Sequence, residues 1–232
     1  MSKTIGFFGD SFCEYVIKPH TVFFGYKTYL KLLAEHYDCK IVHTGLGGSS
    51  IADTCLLQFT EPLPDICIFL WTDHARLFNR QIRKINMTTS RKFHLSNRAI
   101  WKAADDFYTH LYDDQYHKFI CSSMLLNFDM NVISKFPNTK FIHLWGFGTP
   151  RSWTDDGFKQ DQISYLHRWK HGVEIRPPIA SLVLENIKLD AWSRMHEIAN
   201  HIDSPENNIR VFNTIKYAID NYQSGSLVTG YI

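Results

Sequence analysis

Residues 4–13 read Thr-Ile-Gly-Phe-Phe-Gly-Asp-Ser-Phe-Cys, and the reading of this stretch decides the fold. Ile5, Phe7 and Phe8 form a short apolar run suited to a buried strand. Gly9-Asp10-Ser11 then breaks the run, because Gly9 adopts backbone shapes closed to other residues and Asp10 favours a turn. Ser11 is thereby expected at the carboxyl end of a strand, where open α/β sheets bind their ligands. A Gly-Asp-Ser tripeptide also serves as a plain turn, so the rest of the chain has to decide.

Working outward, Tyr26, Tyr29, Leu30, Leu33 and Tyr37 recur at helical spacing and predict a helix over 23–37. Lys40-Ile41-Val42-His43 reads as a second strand, followed by the turn Thr44-Gly45-Leu46-Gly47-Gly48-Ser49-Ser50. A short helix over 51–59 is expected, capped by Ser49 or Ser50. Residues 66–71 are apolar throughout, as in a strand buried on both faces, and Thr72-Asp73-His74-Ala75-Arg76 is the loop at its end. Two helices are predicted over 99–112 and 114–135, a fourth strand over 140–145, and a fifth within 179–184. Asp203 and Glu206 fit a capping box with Pro205 in the first turn, ahead of the apolar stripe Val211, Ile215 and Ile219 of a last helix. Strands alternating with helices predict an α/β fold, with a parallel sheet covered on both faces. The chain reads as one domain over 1–232, in which 78–135 and 151–190 hold surface excursions or an insertion or lid.

Composition limits the function classes. The chain has 232 residues, 44% hydrophobic and 21% charged, with a formal net charge of +2, so charge alone implies neither nucleic acid nor an anionic membrane as partner. Cys13, Cys39, Cys55, Cys67 and Cys121 form no Cys-x-x-Cys pair, and free thiols in a reducing compartment are the simplest account. No basic stretch followed by a long apolar one opens the sequence, and the longest apolar run, 66–71, is too short to span a bilayer. A cytoplasmic location is the resulting expectation.

The predicted loops after the first three strands open on one rim, and a loop carrying His201 is placed to reach it. A serine nucleophile needs a base for its proton and donors for the oxyanion. Ser11 and His201 fit nucleophile and base. The backbone N–H groups of Gly48 and Ser11 fit the oxyanion hole, with a polar side chain from 72–74. Rival motifs fit less well. Gly45-Leu46-Gly47-Gly48-Ser49-Ser50 lacks the third glycine of a dinucleotide turn and follows the second strand, so no nicotinamide cofactor is expected. His196 and His201 are five residues apart, a rotation of roughly 500° on a helix, so they share no face for zinc and no metal is expected. Trp145, Trp153, Trp169 and Trp192 suit either a sugar cleft or the core, and the basic run 80–92 reads as a solvated face.

The set of blocks resembles the SGNH hydrolases, or GDSL esterases: Gly9-Asp10-Ser11 after the first strand, the Gly45–Gly48 turn after the second, Pro64-Asp65 before the third, and His201 ahead of the last helix. The resemblance spans nearly the whole chain and implies a flavodoxin-like three-layer α/β/α sandwich with a parallel sheet of about five strands. It also implies metal-independent ester hydrolysis through an acyl-enzyme on Ser11, with no cofactor and a small-molecule or carbohydrate ester as substrate. Two departures stand out. The third block of the family is usually Gly-x-Asn-Asp, whereas Trp71-Thr72-Asp73-His74-Ala75-Arg76 lacks the Asn. Its oxyanion donor falls to Thr72, Asp73 or His74, although an ionised Asp73 cannot donate. The form is similar to divergent, phage-like members with Trp-Thr and a nearby Arg, which nominates Trp71, Arg76 and Asp10 as substrate contacts. Ile198 occupies the usual place of the acid, and Glu197 is the nearest carboxylate able to replace it. The altered third block and the missing acid keep two alternatives open: a non-catalytic glycan-binding or structural domain, and a sugar O-acyltransferase on the same residues. The oligomeric state is not readable.

Overall fold

The computed structural model describes residues 2–13, 27–72, 74–79, 99–146, 167–176, 178–179, 182, 202 and 204–232. Six parallel strands form one sheet: β1 (Thr4–Gly9), β2 (Lys40–His43), β3 (Ile66–Trp71), β4 (Lys140–Trp145), β5 (Val173–Arg176) and β6 (Leu227–Thr229), in the order β2-β1-β3-β4-β5-β6. The long central pairings are regular, from Ile5 opposite Ile66 to Gly9 opposite Leu70, and from Ile66 opposite Lys140 to Trp71 opposite Trp145.

Side chains alternate across the sheet, so the central strands feed two cores. On one face Ile5, Phe7, Ile68, Leu70, Ile142 and Leu144 pack against α1 (Tyr29–His36) and the last helix. On the other, Phe8, Cys67, Phe69, Trp71, Phe141 and Trp145 pack against two helical elements. The first is α2 (Ile51–Asp53), which continues as a π turn over Thr54–Gln58. The second comes after α3 (Ala99–His110): α4 (Asp114–Asn127), extended by a π turn (Phe128–Val132) and a 3-10 turn (Ile133–Lys135). Residues 99–135 of the expected excursion are thus α3 and α4, and α4 sends Cys121 and Leu125 into the core. The arrangement is the three-layer flavodoxin-like sandwich.

The last helix, α5 (Pro205–Asp220), is held to α1 across the chain. Tyr29 N–H donates to Asn208 Oδ1 (3.0 Å), and Tyr37 hydroxyl lies 3.2 Å from Lys216 O and 2.7 Å from Asp220 Oδ1. Burial and the Asp220 carboxylate both push the Tyr37 phenol well above its ordinary range.

Four expectations need correction. The sheet has six strands, not about five. The fifth is Val173–Arg176, upstream of 179–184, because the Pro177-Pro178 pair offers no N–H to a ladder. Ile179 and Leu182 are core residues outside any strand, with Ile179 N–H on Trp145 O (2.8 Å). The cap of α5 is Ser204, whose Oγ accepts from Asn207 N–H (3.1 Å), while Asp203 lies outside the described residues. Finally, α1 starts at Tyr29, with 23–26 likewise outside the description.

Candidate functional site

The sheet order turns back at β1: β2 lies on one side of it and β3 on the other. The gap beyond the carboxyl ends of β1 and β3 is the switch point at which open α/β sheets take their ligands. The loops after β1, β2 and β3 meet there.

Gly9 ends β1 at φ +138°, and a Cβ on it would lie 2.2 Å from Leu70 O, so only glycine lets β1 and β3 run this close. Its carbonyl accepts from Leu46 N–H (3.0 Å), which draws in the loop after β2. A Cβ on Gly45 would lie 2.3 Å from Cys13 Sγ, and Gly45 N–H donates to Cys13 O (2.9 Å). The first two loops therefore touch backbone to backbone.

Two long-range side chains complete the frame, and neither role was legible from spacing. Gln58 Oε1 accepts from Gly9 N–H (2.7 Å), while its Nε2 donates to Gly9 O (2.9 Å) and Ser49 Oγ (2.9 Å). It satisfies both backbone groups of Gly9 as a neighbouring strand would. Arg76 Nη1 lies 3.2 Å from Asp10 Oδ2 and donates to Ser49 O (3.1 Å). Asp10 is fully buried, and its Oδ1 accepts from Phe12 N–H (3.1 Å). The expected substrate contacts Asp10 and Arg76 thus form a buried ion pair that ties the three loops together.

Within this frame Ser11 opens a 3-10 turn (Ser11–Cys13) directly after β1 and is partly exposed above a buried Phe12 and Cys13. Gly48, at φ +82°, sits in the turn before α2 and is also partly exposed. Ser50 caps α2: its Oγ accepts from Asp53 N–H (3.1 Å), and Asp53 Oδ2 accepts from Ser50 N–H (2.8 Å).

The third loop divides its candidates. His74 is buried, and its Nε2 lies 2.7 Å from Asp114 Oδ1 in the first turn of α4, which takes that nitrogen away from the oxyanion role. Burial raises the Asp114 carboxyl, but hydrogen bonds from Lys118 and His74 outweigh it and hold the group at about 2. Thr72 is buried too, and its Oγ1 has no hydrogen-bond partner among the described residues. Asp73, His201 and Glu197 lie outside those residues, although Ile202, next to His201, is fully buried in the core shared by α1 and α5.

Trp71 corrects another expectation. It is fully buried, stacked on Phe69 (5.1 Å) and Trp169 (4.9 Å), and its Nε1–H donates to His143 Nδ1 (3.2 Å). It is a core residue with no face open to substrate. Trp145 and Trp169 are also buried and pack in the same aromatic core.

Among the described residues no cluster of His, Cys, Asp and Glu is disposed to hold a metal ion, and no helix is long and apolar enough to cross a membrane. No family model, curated protein or solved structure matches the chain.

Proposed function

We propose that the chain is a serine ester hydrolase of SGNH type, acting on a small acyl ester such as a carbohydrate O-acetyl group. The observation that carries this reading is the position of Ser11. It follows β1 at the switch point of the sheet, partly exposed, on a turn braced by Gln58, Arg76 and Asp10. In this mechanism Ser11 Oγ attacks the ester carbonyl carbon as His201 takes its proton. The alcohol leaves with that proton, and water hydrolyses the acyl-enzyme with His201 again as base. The N–H groups of Ser11 and Gly48, with the Thr72 hydroxyl, hold the oxyanion, and Glu197 orients His201. Reaction of the acyl-enzyme with a sugar hydroxyl instead of water makes the same residues an O-acyltransferase, which product analysis with a sugar acceptor separates.

The test is covalent labelling with a fluorophosphonate, paired with turnover of p-nitrophenyl acetate. Wild type is labelled and S11A is not, with turnover lower by at least about 10³-fold. Labelling that survives in S11A refutes the assignment. One observation favours the second reading, a non-catalytic glycan-binding or structural domain: His74 Nε2 is engaged by Asp114. A folded wild type that is neither labelled nor active supports that reading.

A further inference from the structure

Helix α4 has an outer face unlike those of the other long helices. Its exposed residues, with those of the π turn that extends it, are Gln115, Tyr116, Phe119, Ser123, Leu126, Asn127, Met130 and Asn131. None is charged. By contrast, the outer faces of the others carry Lys31 and Glu35 on α1, Lys102 and Asp106 on α3, and Glu206 and Asp220 on α5. Tyr116 is 60% exposed, Phe119 68%, Leu126 49% and Met130 37%, values that place large apolar groups in water. The opposite side of the same helix is accounted for by Cys121, Leu125 and Phe128 in the core.

The exposed stripe runs 116, 119, 123, 126, 130, with alternating steps of three and four. That is the spacing of a two-helix seam. The stripe is also close to self-complementary about its midpoint. With a second copy laid antiparallel across a two-fold axis at Ser123, Tyr116 comes opposite Met130, Phe119 comes level with Asn127 and beside Leu126, and the small Ser123 meets itself. The first pairing sets a thioether against an aromatic ring, a favourable contact. No charge is buried by this pairing, whereas a charged partner surface would leave its charges without counterparts.

We propose that α4 is the interface of a homodimer of this chain, formed as an antiparallel helix pair centred on Ser123. The seam is about 21 Å long at 1.5 Å rise per residue. Specific interfaces bury about 1,200 Å² or more in total, so the helix seam needs further apolar surface beside it. The neighbouring π turn of α2, in the same layer, adds the exposed Leu56 and Leu57.

Sedimentation equilibrium of the full chain tests the proposal. Wild type shows twice the 27.1 kDa chain mass at about 100 μM. F119E and L126E, which set a carboxylate in the seam, raise the dissociation constant at least tenfold or about 1.4 kcal/mol, with unchanged circular dichroism. Oxidation of S123C gives a disulfide-linked dimer beyond the wild-type background, while F119C, displaced from the axis, does not. A monomeric wild type at that concentration overturns the proposal, as does a dimer that both glutamate variants leave intact. Should those variants fail to fold, S123C decides: a linked dimer sustains the interface and its absence refutes it.

Discussion

The Thr72 hydroxyl is a buried polar group without a hydrogen-bond partner among the described residues. Such a group costs stability, roughly 1–3 kcal/mol. Under the proposed mechanism the hydroxyl serves as a donor to the oxyanion. Thr72→Val keeps the shape and removes the hydroxyl, so it separates stability from catalysis. The expected result is an unchanged or higher melting temperature with kcat lower by at least tenfold, about 1.4 kcal/mol of transition-state stabilisation. Both quantities are read on one preparation by calorimetry and ester turnover. A variant as active as wild type removes Thr72 from the oxyanion hole.

At the scale of elements, the π turn of α4 anchors the segment leading into β5 through Asp129. This carboxylate is fully buried and accepts from His167 Nε2 (2.9 Å), Lys170 N–H (2.8 Å), His171 N–H (3.0 Å) and His171 Nδ1 (3.0 Å). Burial pushes it up, but these bonds prevail and hold it at about 2, below the usual 3.8. A carboxyl depressed by folding contributes stability that is fully present above its unfolded pKa and is lost as pH falls through the folded one. The loss therefore runs from about pH 4 down to about pH 2 and amounts to about 2 kcal/mol. Urea unfolding across this window shows it in wild type, and D129N flattens the curve by that amount. An equal slope in D129N shows that the carboxylate is not the anchor. His143 adds a loss that begins higher. Its burial lowers the imidazole from 6.5 to about 3, so the unfolded chain takes up the proton first as pH drops below about 6.5.

These elements were unequally legible in the sequence. Strands β1, β3 and β4 announce themselves as apolar runs because the sheet is covered on both faces there. Strand β5 does not, since Glu174 faces inward, 3.2 Å from Trp145 Nε1, where an apolar residue would be expected. Leu-Val-Thr of β6 is too short and too exposed to carry a pattern. In the site, the Gly9-Asp10-Ser11 turn could be read locally. The Arg76–Asp10 pair and the Gln58 bridge could not, because contacts between distant residues leave no periodicity.

At the scale of the whole molecule, the two cores depend on different parts of the chain. Residues from β1 through β4 supply nearly all of the aromatic core beneath α2 and α4, to which Trp169 is the late addition. The other core cannot close without α5, which brings Val211, Ile215, Ala218 and Ile219. Tyr29 and its partner Asn208 stand 179 residues apart. The sheet is thereby sealed on one side by local sequence and on the other by two segments far apart in the chain, α1 and α5, meeting.

That meeting sets a schedule on the ribosome. Helix α1 is translated well before its cover, α5. At about 5–20 residues per second the delay is roughly 10–35 s. Throughout it, Tyr29, Leu30, Leu33 and Ala34 have no helix to cover them and offer chaperones an apolar face. Nascent chains arrested before α5 emerges should be cut readily around α1 by added protease, and those arrested after it should resist. Equal sensitivity at both arrest points would show that α1 finds another cover during synthesis.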